Sequence, residues 1–165
     1  MSQKAWYISP IGWLEITAHN NSLTGIKKVE RPKKVKNDNL PTILLDTIGQ
    51  LEEYFLGMRK AFDLRLNFGD ATDFHKEVWL ELLKIPYGKT VSYSYIAEQL
   101  GKPKSVRAVG QAAGANPIAI VVPCHRLIGK KGDLTGYFYG LDIKRELLRL
   151  ENPKSFGLQG SLFEM

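Results

Sequence analysis

The sequence holds one cysteine, Cys124, in 165 residues, and only three histidines, His19, His75 and His125. A lone cysteine closes no internal disulfide, which excludes a stapled secreted fold and fits a reducing, cytoplasmic setting. The same scarcity excludes a multi-cysteine zinc site, and three histidines make a poor basis for a histidine-rich one, so no metal is expected. Long apolar runs are also missing. The densest, Ile118 to Val122, is far short of the roughly 20 residues that a membrane helix needs. The opening Met1-Ser2-Gln3-Lys4-Ala5-Trp6 lacks the apolar stretch of a signal peptide, so neither a membrane nor export is expected. Repeats and low-complexity segments are absent.

What is present is ordinary for a globular chain. Apolar residues make up 44% and charged residues 24%, which excludes the disordered and fibrous classes. The length suits one domain, or a small domain leaning on a larger one. The net charge is +6, and the second half carries more of it: 13 basic against 9 acidic residues over 71–165, against 10 and 8 over 1–70. Between Lys84 and Arg107, five cations (Lys84, Lys89, Lys102, Lys104, Arg107) face the single acid Glu98. Such a stripe suits a polyanion, and a solvated surface explains an imbalance this mild equally well.

Residues 1–70 read as strands followed by a helix. Trp6 to Ile8, Gly12 to Ala18 and Ser22 to Val29 are β-leaning runs, with Asn20-Asn21 marking a hairpin. Lys27 to Asn39 is polar, basic and broken by Pro32, hence a loop. Leu40 to Leu56 repeats apolar residues at helical spacing and stops at Gly57, and Ala61 to Asn67 alternates like a half-buried strand. This half shows no constellation that connects to chemistry.

A second unit, 71–165, begins with a helix that Asp73 can cap, its buried stripe Phe74, Val78, Leu82 and Ile85 ending at Pro86-Tyr87-Gly88. Ser92 caps a short helix through Leu100, and Gly101 ends it. Pro103 sits as the first residue of a further helix running to Gly114. This pair is either a helix-turn-helix presenting Arg107 or an ordinary helical hairpin; the pattern supports both. Ala108, Gly110, Ala112 and Ala113 give its second helix a small-residue surface. Asp142 can cap a last helix ending at Glu151, and a loosely held tail is expected beyond Pro153.

A lone cytosolic cysteine is most often a small buried hydrophobe. Cys124 has neighbours that suit a nucleophile: an apolar run delivers it, Pro123 fixes the backbone before it, and His125 and Arg126 follow. A thiolate is the reactive form, and cationic or hydrogen-bonding neighbours favour it. His125 would need a water bridge to the sulfur and an acid to orient its ring.

Pro123-Cys124-His125-Arg126 followed by Leu127 resembles the signature of the O6-alkylguanine-DNA alkyltransferases, the methylated-DNA–protein-cysteine methyltransferases. The resemblance runs from about Phe74 to Glu151 and, more loosely, into the first half. It takes in Val91-Ser92-Tyr93, Arg107-Ala108-Val109-Gly110, Gly114-Ala115-Asn116-Pro117, Gly136-Tyr137 and Leu147-Leu148-Arg149-Leu150-Glu151. It implies an α/β (α+β) protein: a small ribonuclease-H-like sheet-plus-helix domain at 1–70, and a winged-helix-like, mostly helical DNA-binding and catalytic domain at 71–165. The implied activity is direct reversal of DNA damage. The alkyl group of O6-alkylguanine, with O4-alkylthymine left open as a second substrate, passes irreversibly to Cys124, once per molecule.

By the same resemblance His125 is the base acting through water, Glu151 holds its imidazole, and Asn116 braces the active-site turn. No metal or organic cofactor is needed. The implied partner is duplex DNA bound through the minor groove by a monomer, with the damaged base rotated out of the stack. Arg107 would fill the gap left behind, and Ala108 and Gly110 would allow close approach to the backbone. Tyr93 would crowd a phosphate and hydrogen-bond the leaving guanine. The Cys124 and Leu127 carbonyls would accept from the guanine amino group, and Tyr137 and Phe138 would line the pocket.

Two departures stand out. Where many members have a small residue and then Gly-Gly after the tyrosine, this chain has Phe138-Tyr139-Gly140, so two rings are expected to narrow the pocket. A serine hydroxyl that some members aim at O6 is also absent, leaving a backbone N–H to serve. Two rivals remain. A lesion-binding alkyltransferase-like protein would lack the cysteine, and a cysteine hydrolase would turn over esters or amides without needing the basic helices.

Overall fold

The first three strands form an antiparallel meander. In the computed structural model, which describes residues 2–156, β1 (Ser2–Ser9), β2 (Gly12–His19) and β3 (Ser22–Val29) lie in that order. Asn20 and Asn21 both take positive φ, 48° and 61°, as a tight two-residue hairpin demands. Ala5, Leu14, Ile16 and Ala18 are buried on one face, under helix α1 (Thr42–Phe55). Strict alternation would place Leu23 and Ile26, three residues apart, on opposite faces. Both are fully buried, because the register shifts: Thr17 pairs with Gly25 and Ala18 with Leu23, leaving Thr24 as an extra residue. Gly25 is required there, since a Cβ would lie 2.5 Å from the Thr17 hydroxyl oxygen.

Residues 61–67 do not form a strand. Their side chains do alternate between half-buried and exposed, but only Leu66 bridges to the sheet, at Leu23. The backbone groups of Asp63 are engaged from elsewhere in the chain. The Gln50 side-chain amide donates to the Asp63 carbonyl and accepts from its N–H, at 3.0 and 2.8 Å, and so takes the groups a neighbouring strand would use. The boundary near residue 70 has an exception too: Pro117–Ala119 belongs to the first unit. Ile26 donates to Pro117 and accepts from Ala119, each at 3.0 Å, extending the edge of β3.

The second unit covers Ala71–Asn116 and resumes at Ile120. Its helices are α2 (Asp73–Leu82), α3 (Tyr93–Gln99), α4 (Val106–Gly114), α5 (Leu141–Glu151) and α6 (Pro153–Phe156). A two-stranded parallel pair, β4 (Val91–Ser92) with β5 (Leu127–Ile128), joins the start of α3 to the segment after Cys124. Three helix starts differ from expectation. Thr72, not Asp73, caps α2, because its hydroxyl accepts from the His75 N–H. Ser105 precedes α4, so Pro103 lies in the turn before it. Gly140, at φ 97°, precedes α5, and Asp142 sits inside its first turn. Ser92 does cap α3, accepting from Tyr95 at 3.0 Å.

The core of this unit forms where α2, α3 and α4 converge on Val78, Leu82, Ile96, Val109 and Ala112, with the Trp79 indole donating to the Ala112 carbonyl at 2.8 Å. The expected loose tail begins instead as α6, whose Phe156 is buried against Leu148; the remainder lies outside the described residues. Among the described residues no helix is long and apolar enough to cross a membrane, and no group of three or more His, Cys, Asp or Glu could hold a metal.

Candidate active site

The chain reaches Cys124 through a buried turn. Ile118 to Val122 are all buried; Ile118 bridges to Ile26 and the chain then turns, with Ile120 held at φ 72°. A β-branched residue there is strained, at a cost of order 1–3 kcal/mol that the surrounding packing must offset. Asn116 braces this turn. Its side-chain amide donates to the Val122 carbonyl at 2.8 Å and to the Cys124 sulfur at 3.2 Å. Cys124, His125 and Arg126 then form one turn of 3-10 helix.

His125 and Arg126 both point at the end of α5. His125 Nε2 lies 2.7 Å from Glu151 Oε2, and the Arg126 fork reaches the same carboxylate at 2.8 and 3.0 Å. The Gly88 N–H donates to Glu151 Oε1 at 3.2 Å, and Arg126 also donates to the Ile85 carbonyl at 2.7 Å. Gly88, at φ 76°, is a position where glycine is needed: a Cβ would lie 3.1 Å from the Glu151 carbonyl. For Glu151, burial opposes ionisation, but His125 and Arg126 outweigh it and hold the carboxyl well below the usual range. An ionised carboxylate only accepts, so Nε2 carries the imidazole proton and Nδ1, which has no partner among the described residues, keeps its lone pair. Burial also lowers His125 below its ordinary value, opposed by Glu151 and reinforced by Arg126. The ring is therefore neutral at neutral pH, oriented, and able to take a proton.

Burial pushes the Cys124 thiol up, while the Asn116 hydrogen bond and the Lys144 charge pull it down. The resting sulfur is a thiol, and its reactivity depends on a base. Lys144 has no exposed surface, donates to the Thr135 and Gly136 carbonyls at 2.9 and 3.2 Å, and lies 5.9 Å from the centre of the Tyr93 ring. Burial lowers it to about 8, against the partial rescue of Cys124.

A cavity of about 340 Å³ opens on the sulfur, lined by Tyr93, Gly110, Ala113, Gly114, Cys124 and residues 135–138. That size admits a flat heterocycle. Burial raises both phenols, Tyr93 and Tyr137, so each presents a neutral hydroxyl. A Cβ on Gly110 would meet the Tyr93 ring at an ordinary 3.8 Å, so packing inside the protein does not demand glycine there.

Of the residues singled out from sequence, Cys124, Tyr93, Gly110, Tyr137 and Phe138 line the cavity, while Asn116, His125 and Glu151 stand behind the sulfur. Arg107 is exposed and Ala108 half-buried on α4, and neither lines the cavity. Leu127 is fully buried in β5, paired with Val91. Phe138 is 74% exposed on the rim, and Tyr139 packs edge-on against it without joining the wall, so one ring and not two narrows the mouth.

Sequence reasoning missed Arg126 as the clamp on Glu151, and missed Lys144 altogether. A signal existed. The buried residues of α5 are Lys144, Leu147, Leu148 and Glu151, the spacing of one helix face, and two of the four are charged.

This geometry sets a thiol with an oriented imidazole beside it on a pocket walled partly by α4, the arrangement of a cysteine nucleophile. The ribonuclease-like domain model of 6-O-methylguanine DNA methyltransferase matches residues 3–68, and its DNA-binding domain model matches residues 73–153. The methylated-DNA–protein-cysteine methyltransferase of Mycobacterium tuberculosis is 45% identical over 150 residues, 89% of this chain and 90% of its own. Its counterpart in Methanosarcina acetivorans is 46% identical over 154 residues, 89% of this chain and 96% of its own. The crystal structure of the M. tuberculosis O6-methylguanine methyltransferase superposes with a TM-score of 0.81 at 43% identity, covering 93% of this chain and 94% of that one. The M. tuberculosis protein in complex with DNA gives the same score and identity, covering 91% and 92%. The chain belongs to the 6-O-methylguanine DNA methyltransferase family.

Proposed function

We propose that this protein repairs alkylated DNA by direct reversal, taking the methyl group of O6-methylguanine onto Cys124 once per molecule. The observation that carries this reading is the placement of the Cys124 sulfur on a base-sized cavity, in the same turn as a neutral histidine oriented by an ionised carboxylate. The thiol proton passes through water to His125 Nδ1, and the imidazolium that forms is stabilised by Glu151. Sulfur attacks the methyl carbon in line, the S–C bond forms, and the C–O bond breaks with its electron pair leaving on guanine. The neutral Tyr93 hydroxyl donates a hydrogen bond to the departing base, and the proton held on His125 returns through water to that base, so the thiol's proton ends on guanine. Lys144 and Asn116 favour the charge developing on sulfur before attack.

The product thioether is stable to ordinary thiols, so the protein is consumed. Duplex DNA binds through its minor groove, with α4 against the sugar-phosphate backbone. Ala108 and Gly110 are small enough for that approach, and the exposed Arg107 fills the space of the flipped nucleotide. All of these side chains come from one chain, which supports a monomer as the reacting species. The test is a titration of a duplex containing one O6-methylguanine. Lesion loss is expected to plateau at one per protein molecule, with Cys124→Ala binding the duplex and removing none. Continued turnover, or no loss with the parent, would contradict the proposal.

A further inference from the structure

The first unit carries its positive charge in one place. Between Lys27 and Lys36 there are six cations and one acid, Glu30, whereas the rest of the first 70 residues holds four basic side chains and seven acidic ones. The unit is thus a basic segment on an acidic body. Lys27 is already engaged by Glu15 at 3.5 Å, an acid it shares with Lys4. Lys28, Arg31, Lys33, Lys34 and Lys36 are in no ion pair among the described residues, and all but the half-buried Lys28 are exposed.

The segment is also anchored at its far end. The Asn37 side-chain amide accepts from the Trp6 N–H at 3.1 Å and donates to the Trp6 carbonyl at 2.9 Å, so one side chain pairs with β1 as a neighbouring strand would. Five cations in no ion pair among the described residues, with Glu30 the one acid among them, therefore sit on a stretch fixed at both ends, by β3 and by β1.

We propose that Arg31, Lys33, Lys34 and Lys36 form an auxiliary surface for duplex DNA phosphates, separate from the helix-turn-helix and independent of the lesion. This rests on the DNA-repair reading above. Charge without apolar anchors suits a phosphate backbone better than a protein interface, whose energy comes from buried aromatic and aliphatic anchors; the segment exposes only Val35. Partial immobilisation lowers the ordering cost of engaging several phosphates together.

The test uses the full-length variant R31Q/K33Q/K34Q/K36Q and an unmodified duplex, with affinity followed between about 50 and 200 mM salt. Each phosphate that is no longer neutralised lowers the slope of log K against log salt by about 0.9, so a drop of roughly 2 to 4 is expected. Transfer from free O6-methylguanine base, which has no phosphates, is expected to match the parent and reports on the repair reading separately. A conservative variant, K33R/K34R/K36R, is expected to keep the full slope. An unchanged slope in the glutamine variant overturns the proposal. So does an equal drop in the arginine variant, which would assign the effect to packing. Weakened self-association with an unchanged slope would make the segment a contact for the acidic body of a second copy, and also overturns it.

Discussion

Replacing Arg126 by methionine separates two consequences of the buried network. Arg126 gives Glu151 two hydrogen bonds and the Ile85 carbonyl a third, all with the side chain almost out of water. Removing one partner of a buried ion pair costs about 3–5 kcal/mol, because the other charge is left uncompensated. For a chain of this size each kcal/mol moves the melting temperature by about 2–4 °C, so a fall of roughly 6 to 20 °C is expected by calorimetry. The chemical effect has its own sign. Arg126 pushes His125 down and Glu151 pulls it up, so without Arg126 the imidazole becomes easier to protonate. The acid limb of the single-turnover rate then moves to higher pH, and each unit by which the histidine exceeds the assay pH leaves about tenfold less base. Arg126→Lys keeps a charge but loses the two-pronged fit, so it should lose stability while keeping the parent's pH profile. If Arg126→Met melts early but its pH–rate profile superimposes on the parent's, Arg126 is only a brace and the electrostatic reasoning is wrong.

Three further outcomes follow from the same site. His125 and Glu151 both bind protons more weakly in the fold than their ordinary values of 6.5 and 4.5. Their stabilisation is therefore complete above about 6.5 and lost as pH falls, first through His125 and then through Glu151; a urea midpoint unchanged from pH 7 to 4 would contradict this. Lys144→Met should slow methyl transfer at pH 7 by about tenfold and raise the pH at which iodoacetamide reacts with Cys124. Lys144→Arg should restore both and remove the fall in rate expected as Lys144 neutralises near pH 8; rates alike in all three would refute the charge role. Phe138→Gly should raise the ratio of benzyl to methyl transfer by roughly fivefold or more, while Tyr139→Gly leaves it unchanged, because only Phe138 lies on the cavity wall.

Much of the fold is visible in local pattern. Asn20-Asn21 between two alternating runs means a hairpin, and Ser92 before a short amphipathic stretch means a helix start; both are found. What could not be read depends on distant partners. Alternation over 61–67 reports half-burial faithfully, but pairing failed because Gln50, thirteen residues earlier, takes the backbone groups of Asp63. The Thr24 bulge is marked only by Gly25 beside it and by the three-residue spacing of Leu23 and Ile26. Thr72 and Asp73 are both good caps, and only the direction of the Thr72 hydroxyl chooses.

At the site, the Pro-Cys-His-Arg signature singles out Cys124 and His125 as the proposed nucleophile and base, and both lie in one turn of 3-10 helix. The clamp of Arg126 on Glu151 was not readable, since 25 residues separate them. Lys144 was hidden because a cation is not ordinarily expected on a helix's buried face, although it shares that face of α5 with Glu151. Ranked by spacing alone, both fall on it.

The central claim is that the Cys124 sulfur itself accepts the methyl group. It is tested most directly by peptide mass mapping after reaction with a duplex carrying one O6-methylguanine. The account predicts one added methyl on the peptide containing Cys124, at no more than one per chain, and none in Cys124→Ala. Repair of the lesion with an unmodified Cys124 peptide, or a methyl found on any other residue, would contradict it.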